Sequence, residues 1–411
     1  MPKPKIDLIL NGAAEVLTCV PSANNPIGRL RGVAVAIVGE IIAAIAPRAE
    51  LELKWDTLDS QEIDLGRKIV APGFVDCHTH LVFGGTRAQE FAARMTHTLQ
   101  EVTAMGIPTG IQATVSMTRA SRQENLADHA IHTLQRMFRT GTTTLESKSG
   151  YGLIVEKEID LLQVNRLLQG KQPVDLVSTF LGAHDFPTDI PRQRYLDSLI
   201  YVMIPRVAEN KLAEYCDVYC DDGYYTVEET RRILETGLSY GLKPKMHVDA
   251  YSHIGGSELA ADLNVISADH LNYTTRSEMA HLAEAGVVGV VMPGLDFAVR
   301  HPQPFDARAM ISEGMTLGLA TDFCPGCWME SMQLVMQLAC RLYQFSPEEA
   351  LSAATIGAAK AVGLVKDRGS LEVGKLADIQ VWDIPTFEDI IYRIGNNAVS
   401  MVIKRGRVYQ F

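Results

Sequence analysis

Residues 69–80 read IVAPGFVDCHTH. An apolar run rich in β-branched residues ends abruptly in His78-Thr79-His80. Side chains alternate along a strand, so residues two apart share a face and both imidazoles can reach one cation. Seven further runs downstream have the same character: 142–147 (TTTLES), 174–184 (VDLVSTFLGAH), 216–222 (CDVYCDD), 244–250 (PKMHVDA), 264–270 (NVISADH), 287–294 (VVGVVMPG) and 317–323 (LGLATDF). Helix-patterned stretches such as ENLADHAIHTLQRMFRTG and RSEMAHLAEAG separate them. Eight strand–helix units in succession predict an α/β fold, a (β/α)8 TIM barrel, over residues 67–364. A doubly wound open sheet would not ordinarily use eight such units.

The flanks read differently. Residues 1–66 and the stretch from 365 to 411 are short apolar or alternating runs broken by Gly, Pro and Asn, with no helical period of comparable length. They predict one small β-sandwich domain assembled from both chain ends.

Composition narrows the function classes. The 411 residues are 47% hydrophobic and 21% charged, as in ordinary globular domains. The net charge of −11 disfavours nucleic acid or an anionic membrane as partner and leaves a small molecule. No apolar run approaches the ~18 residues of a membrane span. The start, MPKPKIDLIL, lacks a signal-peptide pattern. The seven cysteines, an odd number without an export signal, read as reduced thiols in a cytoplasmic protein. Cys324 and Cys327 form a lone CxxC with no second pair to complete a structural zinc site.

The decisive feature is where costly polar residues fall. His78 and His80, Glu146, His184, His247 and Asp249, His270 and Asp322 all stand at the ends of apolar runs. In this barrel the C-terminal strand ends surround one pocket, where active sites form. One such histidine would read as a satisfied structural residue; a whole set of them predicts chemistry. His78, His80, His247 and Asp322 make an N3O ligand set suited to one divalent metal. Zn2+ is the first choice, and Fe2+ or Mn2+ also fit. Asp322 is the candidate ligand and general base, and His270 the candidate to polarise the electrophile or hold the attacking water.

APGFVDCHTH, the His247 run, SADH and LATDF, in this order, resemble the amidohydrolase superfamily. Within it the chain resembles the imidazolonepropionase family over nearly its whole length, through HTHLVFGGTR (78–87), TTTLESKSGYGL (142–153), PVDLVSTFLGAH (173–184), GGSELA (255–260), ISADHL (266–271) and GKLADIQVWD (374–383). The resemblance implies the same four metal positions, His78, His80, His247 and Asp322, and ring-contacting roles for Arg87, Tyr151 and His184. Run four ends in Cys220-Asp221-Asp222 rather than in the lysine of dinuclear relatives, which implies a single metal. Family members are commonly dimeric, so a homodimer is the implied assembly.

The chain departs from the family pattern in places. Ala250 stands where an acidic or amide residue is usual, and Gly106-Ile107-Pro108-Thr109-Gly110 replaces a triple glycine. The loop after run eight reads Asp322-Phe323-Cys324-Pro325-Gly326-Cys327-Trp328, with a thiol and an indole in place of an amide and a small residue. An inward Trp328 would wall off the space for a propionate tail. Cys324 is then either a substrate contact or a small buried hydrophobe. Glu146 either pairs with Lys148 beneath the pocket or acts as the proton shuttle that Ala250 cannot be. On these grounds the expected activity is deimination of a tailless ring: creatinine and water to N-methylhydantoin and ammonia. The alternative is imidazolonepropionase activity, 4-imidazolone-5-propanoate to N-formimino-L-glutamate. A barrel kept only as a binding scaffold would be expected to lose metal ligands, and all four are here.

Overall fold

A computed structural model describes residues 3–411. Eight parallel strands lie side by side in chain order: β1 (Phe74–Asp76), β2 (Thr142–Lys148), β3 (Asp175–Ala183), β4 (Tyr215–Cys220), β5 (Lys243–Val248), β6 (Ser267–His270), β7 (Val288–Val291) and β8 (Leu317–Leu319). The seam between β8 and β1 is closed just beyond the strands. Thr79 bridges Phe323, the His80 amide donates to the Phe323 carbonyl at 2.8 Å, and the Asp322 amide donates to the His78 carbonyl at 3.1 Å. The segments that close the barrel are thus the ones that carry the expected metal ligands. All eight predicted runs supply barrel strands.

The intervening helices follow their sequence signals. Gln123–Arg139 buries Leu126, Ala130, Leu134, Met137 and Phe138, one stripe at helical spacing, and ends in Arg136 and Arg139, which complement its dipole. Val227–Ser239 starts with a reciprocal cap between Thr226 and Glu229.

The chain ends form two further sheets, one of four strands (Leu8–Asn11, Ala34–Val38, Ile41–Ala46, Gln61–Asp64) and one of six. The larger draws Glu15–Leu17, Arg29–Leu30 and Ile69–Pro72 from one end and Ile379–Trp382, Val399–Lys404 and Arg407–Gln410 from the other. Leu8, Leu10, Val35 and Ile37 of the first pack with Val70, Ile379, Val381 and Ile403 of the second as a sandwich core.

Run 69–80 therefore serves both units. Ile69–Pro72 pairs with Glu15–Leu17 and Ile379–Trp382, and after Gly73 the chain enters β1. A side chain at Gly73 would meet the Thr143 hydroxyl at 2.3 Å, so the crossover needs a residue without one. The sandwich is also clamped to the barrel by charge. Asp175, opening β3, accepts from Arg368 (2.8 Å), Lys404 (2.9 Å) and Arg405 (2.9 Å). No helix among the described residues is long and apolar enough to cross a membrane.

Candidate active site

The rings of His78, His80 and His247 converge above the barrel axis. Their centroids lie 4.5 Å (His78–His247), 5.5 Å (His78–His80) and 5.8 Å (His80–His247) apart. Asp322 Oδ1 is 3.8 Å from His78 Nε2 and 3.7 Å from His80 Nε2. All four side chains are buried, yet His78 Nε2, His247 Nε2 and Asp322 Oδ1 have no hydrogen-bond partner. Each such buried atom left unpartnered would cost on the order of 1–3 kcal/mol. Ligand atoms of His78, His80 and Asp322 lie within 4.8 Å of one another, as do those of His78, His247 and His270 and those of His80, His184 and His247, so a cation held among them would satisfy such atoms.

The backs of two rings explain their orientation. Asp269 Oδ2 accepts from His78 Nδ1 at 2.6 Å, and Asp217 Oδ1 accepts from His247 Nδ1 at 3.1 Å. With Nδ1 protonated towards a carboxylate, the Nε2 lone pair faces the centre. Burial pushes His78, His80 and His270 well below the ordinary histidine range, so these rings are neutral and able to ligate. Burial pushes Asp322 well above the ordinary carboxylate range, against the pull of Lys148; a cation would reverse that.

The strand ends are strained where the site forms. Asp249 (φ 51°), His270 (φ 84°), Leu271 (φ 62°) and Asp322 (φ 45°) are non-glycine residues in left-handed conformation at the exits of β5, β6 and β8. Such strain persists where surrounding structure over-determines it, and it clusters at functional sites.

His184 and Tyr151 form one wall. The His184 ring stacks on His80 at 4.7 Å and 16°, and Tyr151 lies 5.5 Å from His80 and 5.2 Å from His184. The Gly150 carbonyl accepts from His184 Nδ1 at 3.1 Å. Gly150 has φ +116°, and a side chain there would meet His184 Cβ at 2.9 Å; only glycine allows this approach. Burial, reinforced by Coulombic contributions from His247 and Lys148, holds His184 down at about 3. The loop is pinned from behind by buried Glu158, whose carboxylate accepts from the amides of Gly150 (2.9 Å), Gly152 (2.7 Å) and Leu153 (2.9 Å).

A cavity of about 280 Å3 is lined among others by Arg87, Arg94, Arg300 and, from the loop after Asp322, Pro325 and Gly326. Arg87 donates Nε and Nη2 to Glu90 (2.6 and 2.8 Å), which leaves Nη1 beside Gly326. Cys324 is buried, and the amides of Cys324 and Cys327 each donate to the other's carbonyl across a tight turn. All seven cysteines are free thiols.

Two expected site residues stand elsewhere. Trp328 is 44% exposed. Its ring packs edge-on against Phe83 and Phe323 and beside His129, and its Nε1 donates to Glu330 at 2.8 Å. It leans on the outer helix Gln123–Arg139 and does not narrow the arginine-lined cavity, because an indole N–H with a carboxylate partner at the rim is better satisfied there than in an apolar wall. Glu146 points down the barrel, 3.0 Å from Lys148 Nζ and 2.9 Å from Lys245 Nζ. The pairing expected beneath the pocket is the one formed, and the shuttle role is not open to a carboxylate held between two ammonium groups. Sequence reading passed over Asp217, Asp269 and Lys245. Each is a charged residue inside an apolar run, and that interruption was the available signal.

The pattern of the amidohydrolase family matches residues 224–409. The imidazolonepropionase of Symbiobacterium thermophilum is 41% identical, with 98% of this chain and 97% of that protein covered. The imidazolonepropionases of Shouchella clausii and Geobacillus kaustophilus are each 39% identical over 98% of this chain, covering 92% and 97% of those proteins. The chain belongs to the imidazolonepropionase family. Solved structures agree on the fold: an adenosine deaminase from Xanthomonas campestris with bound zinc superposes with a TM-score of 0.75 at 20% identity, covering 99% of this chain and 93% of that one. An Aspergillus niger ochratoxinase gives 0.71 at 19%, covering 99% and 96%.

These relatives overturn the expectation of a creatinine deaminase. That reading needed an inward Trp328 to close off the tail space. The indole faces out, the arginine-lined cavity is open, and family members named imidazolonepropionase match the chain from end to end.

Proposed function

We propose that this member of the imidazolonepropionase family hydrolyses 4-imidazolone-5-propanoate to N-formimino-L-glutamate. The observation that carries the reading is a buried, partnerless cluster of ligand atoms whose β8 loop, at Pro325 and Gly326, also lines a cavity with three arginines. The first suits hydrolysis of a ring amide, and the second suits a carboxylate tail. In this reading His78, His80, His247 and Asp322 hold one divalent ion, Zn2+ by preference, which polarises a carbonyl and brings water toward deprotonation at neutral pH.

The remaining work falls to the chain's own groups. Water adds its oxygen to the ring carbonyl carbon, the carbon–nitrogen bond opens, and the nitrogen leaves with a proton. The free carboxylate oxygen of Asp322 takes the proton from water and returns it to the departing nitrogen. Neutral His270 steadies the developing charge on the carbonyl oxygen. His184 has Nδ1 tied to Gly150, so its Nε2 accepts a ring N–H. Burial holds the Tyr151 hydroxyl well above its ordinary range, so it stays a donor. Arg87, through the Nη1 that Glu90 leaves free, pairs with the propionate, and Arg94 and Arg300 add field. The free thiols suit a reducing compartment, and we assign the enzyme to the cytoplasm.

The test is spectrophotometric loss of 4-imidazolone-5-propanoate with mass-spectrometric detection of N-formimino-L-glutamate. The metal-replete protein turns over, chelation stops turnover, and zinc restores it. No consumption at millimolar substrate by metal-replete protein refutes the proposal.

A further inference from the structure

Beneath the site lies a layer of charge that the reaction does not use. Glu146 and Lys148 from β2, Asp217 from β4, Lys245 from β5 and Asp269 from β6 are wholly buried. Two cations face three carboxylates in the dry barrel interior. Burying such a set is expensive and seldom stabilises a fold relative to apolar packing. Its arrangement points to a specific task.

Lys148 is the hub. Its Nζ lies 2.7 Å from Asp217 Oδ2, 3.0 Å from Glu146 Oε2 and 3.5 Å from Asp269 Oδ2. It hydrogen-bonds Asp217 and pairs by charge with Glu146 and Asp269. Asp217 turns its other oxygen to His247 Nδ1, and Asp269 turns Oδ2 to His78 Nδ1. One lysine therefore bonds the carboxylate behind His247 and pairs by charge with the carboxylate behind His78, whose other oxygen accepts from Ser267 Oγ at 2.6 Å. Lys245 is different. It reaches Glu146 at 2.9 Å and the carbonyls of Ala361 (3.3 Å) and Cys77 (3.5 Å), and neither aspartate that holds a histidine.

We propose that Lys148 is a positioning residue that locks His78 and His247 together in the Nδ1–H tautomer with Nε2 inward, and so sets the affinity of the site for its metal. The inference rests on reading those histidines as ligands. Without Lys148 Asp217 loses its ammonium partner and Asp269 keeps only Ser267 and His78, the charge that links the two is gone, and metal binding must re-order the rings. Removing partners that stand behind metal ligands costs about 10–100-fold in affinity; for Lys148, one bond further out, about tenfold is expected.

Two charge-balanced double variants separate positioning from general damage. Glu146→Gln/Lys148→Met removes the hub, and Glu146→Gln/Lys245→Met removes an equal charge pair from the same layer and leaves the aspartates held. Zinc affinity is read by competition with a chromophoric chelator on chelator-stripped full-length protein, with circular dichroism as the folding check. The expected result is about tenfold weaker zinc binding in the Lys148 double and a change under about threefold in the Lys245 double. Equal losses in both, or none in either, overturn the proposal. If wild-type protein takes up no zinc, the metal-site reading itself has failed, which is a distinct outcome. Should the Lys148 double not fold, 15N spectra of histidine-labelled, metal-free wild type decide: Nδ1–H in both His78 and His247 supports the proposal, and Nε2–H in either overturns it.

Discussion

Replacing Glu158 with alanine should loosen the Tyr151–His184 wall and leave the metal ligands in place. Three backbone amides, those of Gly150, Gly152 and Leu153, donate to its buried carboxylate at 2.7–2.9 Å. Bonds to a charged acceptor contribute about 1.5–3 kcal/mol each, so the gross sum is about 4.5–9 kcal/mol. Burial opposes this: it pushes the Glu158 carboxyl above its ordinary range, and Ser149 and the three amides pull it only part of the way back. Water entering the vacated space re-satisfies some of the amides. A net loss of about 2–4 kcal/mol in the local stability of residues 149–153 remains, which raises the opened population roughly 30- to 700-fold. Hydrogen exchange of a peptide spanning 149–154 should accelerate by that order. The KM for 4-imidazolone-5-propanoate should rise about tenfold or more, because the group that accepts the ring N–H is no longer held. Bound zinc should stay equal to wild type, since His78, His80, His247 and Asp322 belong to other segments. Unchanged exchange at Gly150, Gly152 and Leu153 together with an unchanged KM would refute the reasoning.

Further outcomes follow from other residues. Arg87→Met made together with Glu90→Gln, so that no buried carboxylate is stranded, should raise the KM for the carboxylate-tailed ring about 10- to 100-fold and barely affect turnover of tailless 4-imidazolone; equal effects on both substrates would remove Arg87 from the tail site. Trp328→Phe should change kcat/KM within about twofold, because the indole packs at the rim; a loss of an order of magnitude would mean that it reaches substrate. Asp175→Asn should lower stability by about 2 kcal/mol and Tm by a few degrees, a value between exposed and fully buried pairs because Lys404, Arg368 and Arg405 keep the second partners Asp378, Asp367 and Glu40. Burial alone would raise the Asp175 carboxyl, but Lys404, Arg405 and Arg368 outweigh it and hold it below the ordinary range. Its contribution is therefore fully present above the unfolded value near 4 and lost as pH falls through the lower folded value. The difference between wild type and Asp175→Asn should be constant from pH 7 to about 5 and shrink below about 4; a difference that grows on acidification would contradict the clamp.

The barrel and the gathering of His78, His80, His247 and Asp322 at its mouth were legible because they follow from short-range rules. Apolar runs of strand length alternate with helical stripes, and a polar residue at the end of such a run has few places to go except the mouth. His78 and His80, two apart on a strand-like segment, had to share a face. The split of run 69–80 was not legible. Both halves are equally apolar, and only the neighbours that claim them, Ile379–Trp382 for one and β2 for the other, decide which sheet each joins. The direction of Trp328 was equally hidden. It depends on the left-handed turn at Asp322 and on a hydrogen bond to Glu330, two local choices with long consequences for where a side chain ends.

Architecture, family and the polar residues at the strand ends could be read from the chain alone, because periodicity and residue chemistry are its own properties. Which charges lie under the site and which line it was settled by folding. Glu146, Lys148, Asp217, Lys245 and Asp269 come from four different strands, and a charge inside an apolar run reads the same whether it will face water, substrate or another buried charge. The cost of burying it is met by partners far away in sequence, and those partners exist only once the barrel has closed.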